Sequence, residues 1–414
     1  MIKFQISVKS RISLPLFLFL LIPIISCSTT ADFKEDKKIS EQSTLKLENI
    51  KEEEVIPVNY RFHDSIEILP KGIYGTAGFN ATYVYFGDWP QTIKAENIII
   101  NENESEIHGA FTYYKGSDGY WYAKCIERKF VNGDKPLTYS DGSLVTDTVK
   151  YFKVEPIKWC ILTENYNDSN NALLLSEQIL YAEDFDSDSI FYVKDSDYNS
   201  YYSTYLFRKI NGKEIYPTNY KESRIRAYLN GISYTIFDKS KEEPTQILNN
   251  EYENKGFLQT AFSVDAQSLI KVSTIDNSYV SNIHYPCERI YPWNTGRDDY
   301  WCEDTYDKVF LLSEKEITSG DFKFGTLSEY SIRNVKFIDT TDFAKANNAY
   351  EFFFEDKFVT FWWTRTPMNG DWRISRFVEY QGCSADNMGG GRCGGIVPAI
   401  CVSLDESCYS NETN

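Results

Sequence analysis

Only three histidines stand in the 414 residues (His63, His108 and His284), and no Cys-x-x-Cys pair or Cys/His ligand pattern occurs. Metal and redox motifs built on short fixed thiol and imidazole spacings are therefore lacking. No Lys/Arg run is long enough to track a phosphate backbone, and the formal net charge is −17. A surface of that sign repels nucleic acid, which excludes a DNA or RNA role. The longest apolar run near the start, Leu14 to Ile25, has 12 residues. That is too short to cross a hydrocarbon core of about 30 Å, so it reads as an export signal rather than a spanning helix. What is abundant is aromatic carbon: 31 Tyr and 27 Phe, within an apolar content of 42%. Such a chain can bury a sizeable core, and these side chains favour pleated strands over helices.

The first residues set an expected compartment. Lys3, Lys9 and Arg11 make a basic n-region ahead of the apolar run, and Ile24-Ile25-Ser26-Cys27 has the form of a bacterial lipobox. Residues 1–26 read as a lipoprotein signal peptide, with Cys27 as the lipidated N-terminus of the mature chain. Loss of three cations leaves a mature charge of about −20, so acyl chains, not anionic headgroups, would hold it at a membrane. Residues 27–57, rich in Ser, Thr, Lys and Glu, read as a flexible tether reaching about 30 Å. Eight further cysteines are present, and the spacings define no disulfide connectivity.

From residue 58 short aromatic runs alternate with turn clusters, without a composition break until a tail at 406–414. ATYVYFGDWPQT (81–92) predicts a strand ending in a turn at Asp88-Trp89-Pro90. VEPIKWCIL (154–162) and NALLLSEQIL (171–180) predict a strand pair joined through NYNDSNN. ESRIRAYLNG (222–231) predicts a helix stopped by Gly231, and TDFAKANNAY (341–350) a short helix capped by Thr341. KVFLLSEKEI (308–317) echoes NALLLSEQIL, and each is expected to be a buried strand running into a similar turn. Few short helices among many strands give an α+β domain over about residues 58–405 with long insertions.

These pieces, in order, resemble a bacterial domain family over about residues 80–404. The landmarks are YFGDWPQT, PIKWCIL followed by LLLSE, SRIRAYLN, DKVFLLSEKE, and WWTRTP leading to GGIVPAI. Asp88, Pro90, Ser176, Arg226, Asp307, Ser313, Trp362, Trp363 and Arg365 stand at those motifs. The family's closing Gly-x-Arg-Pro-Ala is not kept: Val397 precedes Pro398. More narrowly, the lipobox, the FWW block and the Gly-rich C-terminal patch resemble the variable proteins of diversity-generating retroelements, especially the treponemal variable lipoprotein. That resemblance implies a C-type-lectin-like (formylglycine-generating-enzyme-like) fold: a mixed, largely antiparallel sheet with two main helices. It also implies that about residues 361–400 face the ligand. Mutagenesis at template adenines scatters Asn codons into Asp, Arg, Ser, Cys, Ala or Gly, the repertoire of Asp371, Arg373, Cys383, Ala385, Asp386, Gly389, Gly391 and Cys393. Glu379 and Gln381 need another template codon or are fixed.

Independently of the resemblance, FVEYQGCSA read as one strand places Glu379, Gln381, Cys383 and Ala385 on one face. Charge, amide, thiol and methyl together make no core pattern and no single chemistry, which suits an exposed display. Trp372, between Asp371 and Arg373, is the aromatic contact candidate, whereas at least one of Trp362 and Trp363 is expected in the core. NMGGGRCGG lacks the Gly-Lys-Ser/Thr ending of a phosphate loop. Cys383 and Cys393 are open to three readings: a disulfide, two free thiols, or the cysteine pair of an envelope oxidase. Asp184-x-Asp186-x-Asp188 begins like a calcium loop, but Ser189 replaces the turn glycine and Asp195 the bidentate Glu. The acidic run Asp298, Asp299, Glu303, Asp304 and Asp307 is expected to be a solvated loop, and the sugar-specifying triplets of calcium-dependent lectins are absent. The expectation is a monomeric, lipid-anchored outer-surface protein without cofactor, metal or enzymatic activity. It would bind a protein or other surface ligand and no nucleic acid.

Overall fold

The fold grows from one long strand. Val149–Thr163, VKYFKVEPIKWCILT, begins with alternating exposure and ends in an unbroken apolar run. It therefore needs one open face at its start and two covered faces at its end. The computed structural model describes residues 60, 62–74, 79–128, 136–186, 208–211, 213–215, 219–238, 245–278, 302–318, 322, 338–349, 351–354, 357–360, 362–367, 375–379, 382–384 and 394–404. All belong to one compact unit, Asn59–Asn414. Residues 1–57 and the 406–414 tail lie outside the described residues, and with them the signal peptide, Cys27 and the tether.

In chain order the first eight strands are β1 (Glu67–Tyr74), β2 (Phe79–Ile93), β3 (Ile100–His108), β4 (Phe111–Gly116), β5 (Trp121–Ile126), β6 (Val149–Thr163), β7 (Ala172–Ser176) and β8 (Tyr181–Glu183). One side of β6 pairs with β2 from Phe152 to Cys160. Its other side takes β5 at the start and β7 at the end. Strands β4 and β3 extend the sheet beyond β5, and β1 flanks β2. Beyond β7 the C-terminal strand Ala399–Val402 is inserted, and it pairs in turn with Ile270–Lys271 and Val309–Phe310. The last strand of the chain thus lies inside the sheet, and every pairing in it is antiparallel.

The expected end of the second strand does not occur at Asp88-Trp89-Pro90. β2 runs on to Ile93 through two register shifts, between Tyr85 and Asp88 and between Pro90 and Ile93. A bulge absorbs what looked like a turn, because Pro90 has no N–H to give a regular ladder. Gly87 takes the left-handed φ of 70° there, and a Cβ would come within 2.4 Å of the Phe262 ring. Trp89 and Trp159 are fully buried, and their indoles donate to the carbonyls of Leu180 and Phe86 at 2.8 Å each. The β6–β7 pair joined through NYNDSNN is as expected.

A second sheet has the order Gly382–Ser384, Ser375–Glu379, Trp362–Pro367, Gly394–Ile396, β8. Trp362 and Gly395 form a parallel contact in it. Among the described residues strand outweighs helix, 48% against 14%, so a mixed, largely antiparallel α+β architecture is established. Among the described residues the longest helix, α1 (Arg224–Asn230), has seven residues. Next come α2 (Phe257–Ala261) and α3 (Val264–Leu269). The brevity is written in the caps. Ser223 accepts from the Arg226 amide at one end of α1, and Gly231 closes the other in the left-handed conformation. The Asp342–Ala346 helix is capped by Thr341 as expected.

The two Leu-Leu-Ser-Glu segments take different courses. Ser313 is followed three residues later by Glu316, and they form a reciprocal capping box: the Glu316 amide reaches Ser313 Oγ (3.2 Å) and the Ser313 amide reaches Glu316 Oε2 (2.6 Å). A helix, Glu314–Thr318, starts there. Three residues after Ser176 stands Ile179, so no box forms, and Ser176 Oγ donates to the Gln178 carbonyl instead.

Glu316 has two further partners. Arg365 Nη1 lies 2.5 Å from its Oε2 and 2.8 Å from the Leu311 carbonyl, and the Tyr166 hydroxyl donates to Oε1 at 2.6 Å. Burial alone would raise the Glu316 pKa, but the guanidinium and the three hydrogen bonds hold it below the ordinary carboxylate range. Replacing Arg365 by Ala strands a buried carboxylate. The expected loss is about 3–5 kcal/mol of unfolding free energy, read as a lower urea midpoint at pH 7. Glu316→Gln keeps the cap and is expected to cost less.

Candidate functional site

The residues singled out for recognition all fall between two buried strands of the second sheet. On the entry side, Trp362, Trp363, Thr364, Arg365 and Thr366 are buried. On the exit side, every residue from Gly394 to Val402 is buried, Val397 among them. Trp362 and Trp363 point to opposite faces, and both lie in the core because this strand is covered on both sides. Trp363 donates its indole N–H to the Glu183 carbonyl at 2.9 Å and meets Phe185 edge-on at 5.5 Å. A Cβ on Gly394 would stand 2.5 Å from that indole ring. Entry and exit therefore touch, while Ser375–Glu379, on the other side of the entry strand, extends the same sheet with Val378 opposite Trp362.

Within the segment, Glu379 and Cys383 lie in described strands. Asp371, Trp372, Arg373, Gln381, Ala385, Asp386, Gly389, Gly391 and Cys393 lie outside the described residues. FVEYQGCSA is not one strand. Ser375–Glu379 and Gly382–Ser384 pair antiparallel, with Phe377 opposite Ser384, Val378 opposite Cys383 and Glu379 opposite Gly382. Directly opposed positions share parity in such a ladder, so Glu379 and Cys383 fall at positions of opposite parity, and the single shared face is corrected. Periodicity could not show this, because a reversal after Glu379 inverts the alternation that one strand would continue.

Beside the exit strand the structure assembles polar side chains that the sequence reading missed. Glu183 pairs with Gly394 in the ladder. Its Oε2 accepts from the Tyr252 hydroxyl at 2.7 Å, and Arg224 Nη2 lies 3.5 Å from Oε1. Arg224 Nε also donates to the Tyr252 hydroxyl (2.9 Å) and lies 3.3 Å from Glu251, to which Tyr234 donates at 2.5 Å. Burial pushes Glu183 up, with Arg224 and Tyr252 opposing it. The available signal was the Arg-x-Arg of SRIRAYLN. Two positions apart on a helix point to different sides, so Arg224 turns to Glu183 while Arg226 turns to Asp307. Arg226 meets Asp307 through Nε at 2.9 and 3.0 Å and through Nη2 at 2.8 Å.

Asp307 is therefore no part of a solvated loop; it is 2% exposed and fully engaged. Asp298 and Asp299 lie outside the described residues, as do Asp188, Ser189 and Asp195 of the calcium-like stretch. Among the described residues no group of three or more His, Cys, Asp or Glu could hold a metal. Among the described residues, Cys125, Cys302 and Cys401 are free thiols. Burial pushes Cys125, Cys302 and Cys401 up to about 11, away from nucleophilic thiolates.

Residues 169–404 match the family described as a domain of unknown function, DUF6273. No curated protein and no solved structure matches the chain. The matched span is narrower than the resemblance over 80–404, and Asp88 and Pro90 precede it. Inside it, Arg226, Asp307, Ser313, Trp362, Trp363 and Arg365 serve ion pairs, a helix cap and the core.

The junction of Gly394 and Trp363 carries a prediction. Gly394→Ala is expected to cost about 1–3 kcal/mol by overpacking. Trp363→Phe has less ring at the contact, so the double variant is expected to be less destabilised than the sum of the two. Urea denaturation of the four proteins gives the coupling; strict additivity would show that the two do not meet.

Proposed function

The chain belongs to the DUF6273 family, and we propose that it is a surface-displayed lipoprotein that binds a protein or other ligand through a diversified C-terminal surface on a lectin-like scaffold. One observation carries the reading. The segment with no consistent chemistry lies between two buried stretches, 362–366 and 394–402, and their strands adjoin each other. Such a frame favours a variable surface, because the entry strand is held by its own buried side chains as well as by its ladder with Ser375–Glu379.

On this reading Trp372 and its neighbours Asp371 and Arg373 supply an aromatic and charged contact. Glu379, Gln381, Cys383, Ala385 and Asp386 supply mixed polar contacts. Gly389, Gly391 and Cys393 shape the returning loop. The mechanism is reversible association, with no covalent step and no cofactor. The lipid on Cys27 and the 27–57 tether hold the domain at the outer face of the envelope.

Sequencing this locus across many isolates tests the reading. Differences confined to residues 371–393, matching adenines of a nearby near-copy beside a reverse transcriptase, are expected. Differences scattered evenly over 58–404 overturn it. Cys383→Ser and Cys393→Ser, together, are expected to leave the thermal midpoint within a few degrees of the parent.

A further inference from the structure

We propose that the Glu351 side chain is a proton-operated latch at the root of the hairpin formed by Glu351–Phe354 and Lys357–Thr360. In its neutral form it keeps the hairpin closed, and on ionising it loosens it. The hairpin runs directly into the Trp362–Pro367 strand of the second sheet. The inference is independent of the binding role proposed above.

The geometry begins with the register. Glu351 pairs with Thr360, the rung farthest from the hairpin's turn, so whatever happens at this rung decides whether the two strands stay together. Glu351 is 4% exposed. Its Oε1 accepts from the Thr360 hydroxyl at 3.2 Å, and that hydroxyl in turn accepts from Thr340 at 2.7 Å. Thr340 makes a parallel bridge with Ile179, and its neighbour Thr341 donates its hydroxyl to the Ile179 carbonyl at 2.9 Å. The relay from Glu351 through two threonines thus ends on the segment joining β7 to β8. Oε2 is different: it is buried, and no hydrogen-bond partner reaches it among the described residues. A carboxylate with one bare oxygen in the core is costly, whereas the neutral acid has far less charge to solvate.

The charged groups acting on Glu351 are Lys345 and Asp342, both on the Asp342–Ala346 helix. Neither is free to serve it. Lys345 Nζ donates to the Thr138 carbonyl at 3.1 Å. Asp342 accepts from the Ser140 amide at 2.8 Å, the Ser140 hydroxyl at 2.5 Å and the Ile93 amide at 3.1 Å. The facing strand and the segment before the helix offer only the Thr360 and Thr340 hydroxyls. Burial, the largest influence, raises this carboxyl from 4.5 to about 7, with Lys345 and the hydroxyls pulling the other way. A pKa raised in the closed state means that closure is fully favoured below about 4.5 and weakens as pH rises through about 7. The difference between the two values corresponds to at most about 300-fold in the closing equilibrium.

Hydrogen–deuterium exchange of the full chain between pH 5 and 8.5, corrected for intrinsic rates, tests the latch. Protection of the hairpin amides is expected to fall by tens-fold, the decline centred near about 6 and complete by about 7. Glu351→Gln, a neutral isostere, is expected to abolish the pH dependence and keep the hairpin protected at pH 8. Thr360→Val removes a hydrogen bond to the ionised form and is expected to move the midpoint upward. A flat profile in the parent overturns the proposal. So does an unchanged profile in Glu351→Gln, or a Thr360→Val midpoint that stays or falls.

Discussion

A buried charge pair joins the two sheets. Arg365 sits on the second sheet's entry strand, and Glu316 sits on the helix that comes after Val309–Phe310 of the first. Neither charge is held in place by solvent, so each is tolerated only where the other stands. The guanidinium also reaches the Leu311 carbonyl, and the Arg365 amide reaches that of Leu312. A one-residue slip of the entry strand would break all three contacts and leave Glu316 without its counter-charge. The pair therefore contributes registry more than net stability, and it fixes the strand from which the candidate recognition segment departs.

The same logic makes sense of the other landmark residues. Arg226 and Asp307 fasten α1 to the strand Thr305–Asp307, and Asn230, at the last turn of α1, holds the amides of Lys308 and Val309 through its Oδ1. Trp363 fastens the entry strand to β8, two strands along in the same sheet, through the Glu183 carbonyl. Each interaction is buried or half-buried, each links segments far apart in the chain, and none leaves a reactive group exposed. The ordered motifs that mark the chain as one of its family thus specify a frame.

Much of that frame was legible in the sequence because its signals are local. The cap at Thr341, the glycine stop at Gly231 and the apolar run Ala172–Leu175 act within a few residues of themselves. The misreadings have a common cause: their outcome is set by a partner distant in the chain. Asp88-Trp89-Pro90 has turn composition, yet β6 holds it in register as a bulge. Asp307 looks solvated among acids until Arg226 arrives from 81 residues away. The two Leu-Leu-Ser-Glu segments diverge in the residues after the shared motif, and a single position, Glu316 against Ile179, decides between a helix and a turn. Of the recognition segment, its limits were legible, since FWW and GGIVPAI read as core. The register of Glu379 against Gly382 was not, because the two residues between them, Tyr380 and Gln381, carry no Asn-Gly or Gly-x turn signal.

The separation between frame and segment has an energetic consequence. A domain of this size has a net stability of only about 5–15 kcal/mol, and most random substitutions subtract from it. A surface that is to vary must therefore contribute little to that total, or variation would unfold the protein before it found a ligand. The described interactions meet this condition. Among the described residues, the polar partners of Arg365 and Arg226 and the carbonyl that Trp363 meets lie outside residues 368–393, and the Gly394–Trp363 contact closes the sheet just beyond that span. Stability is held largely by the buried strands on either side, with Ser375–Glu379 adding a ladder to the entry strand.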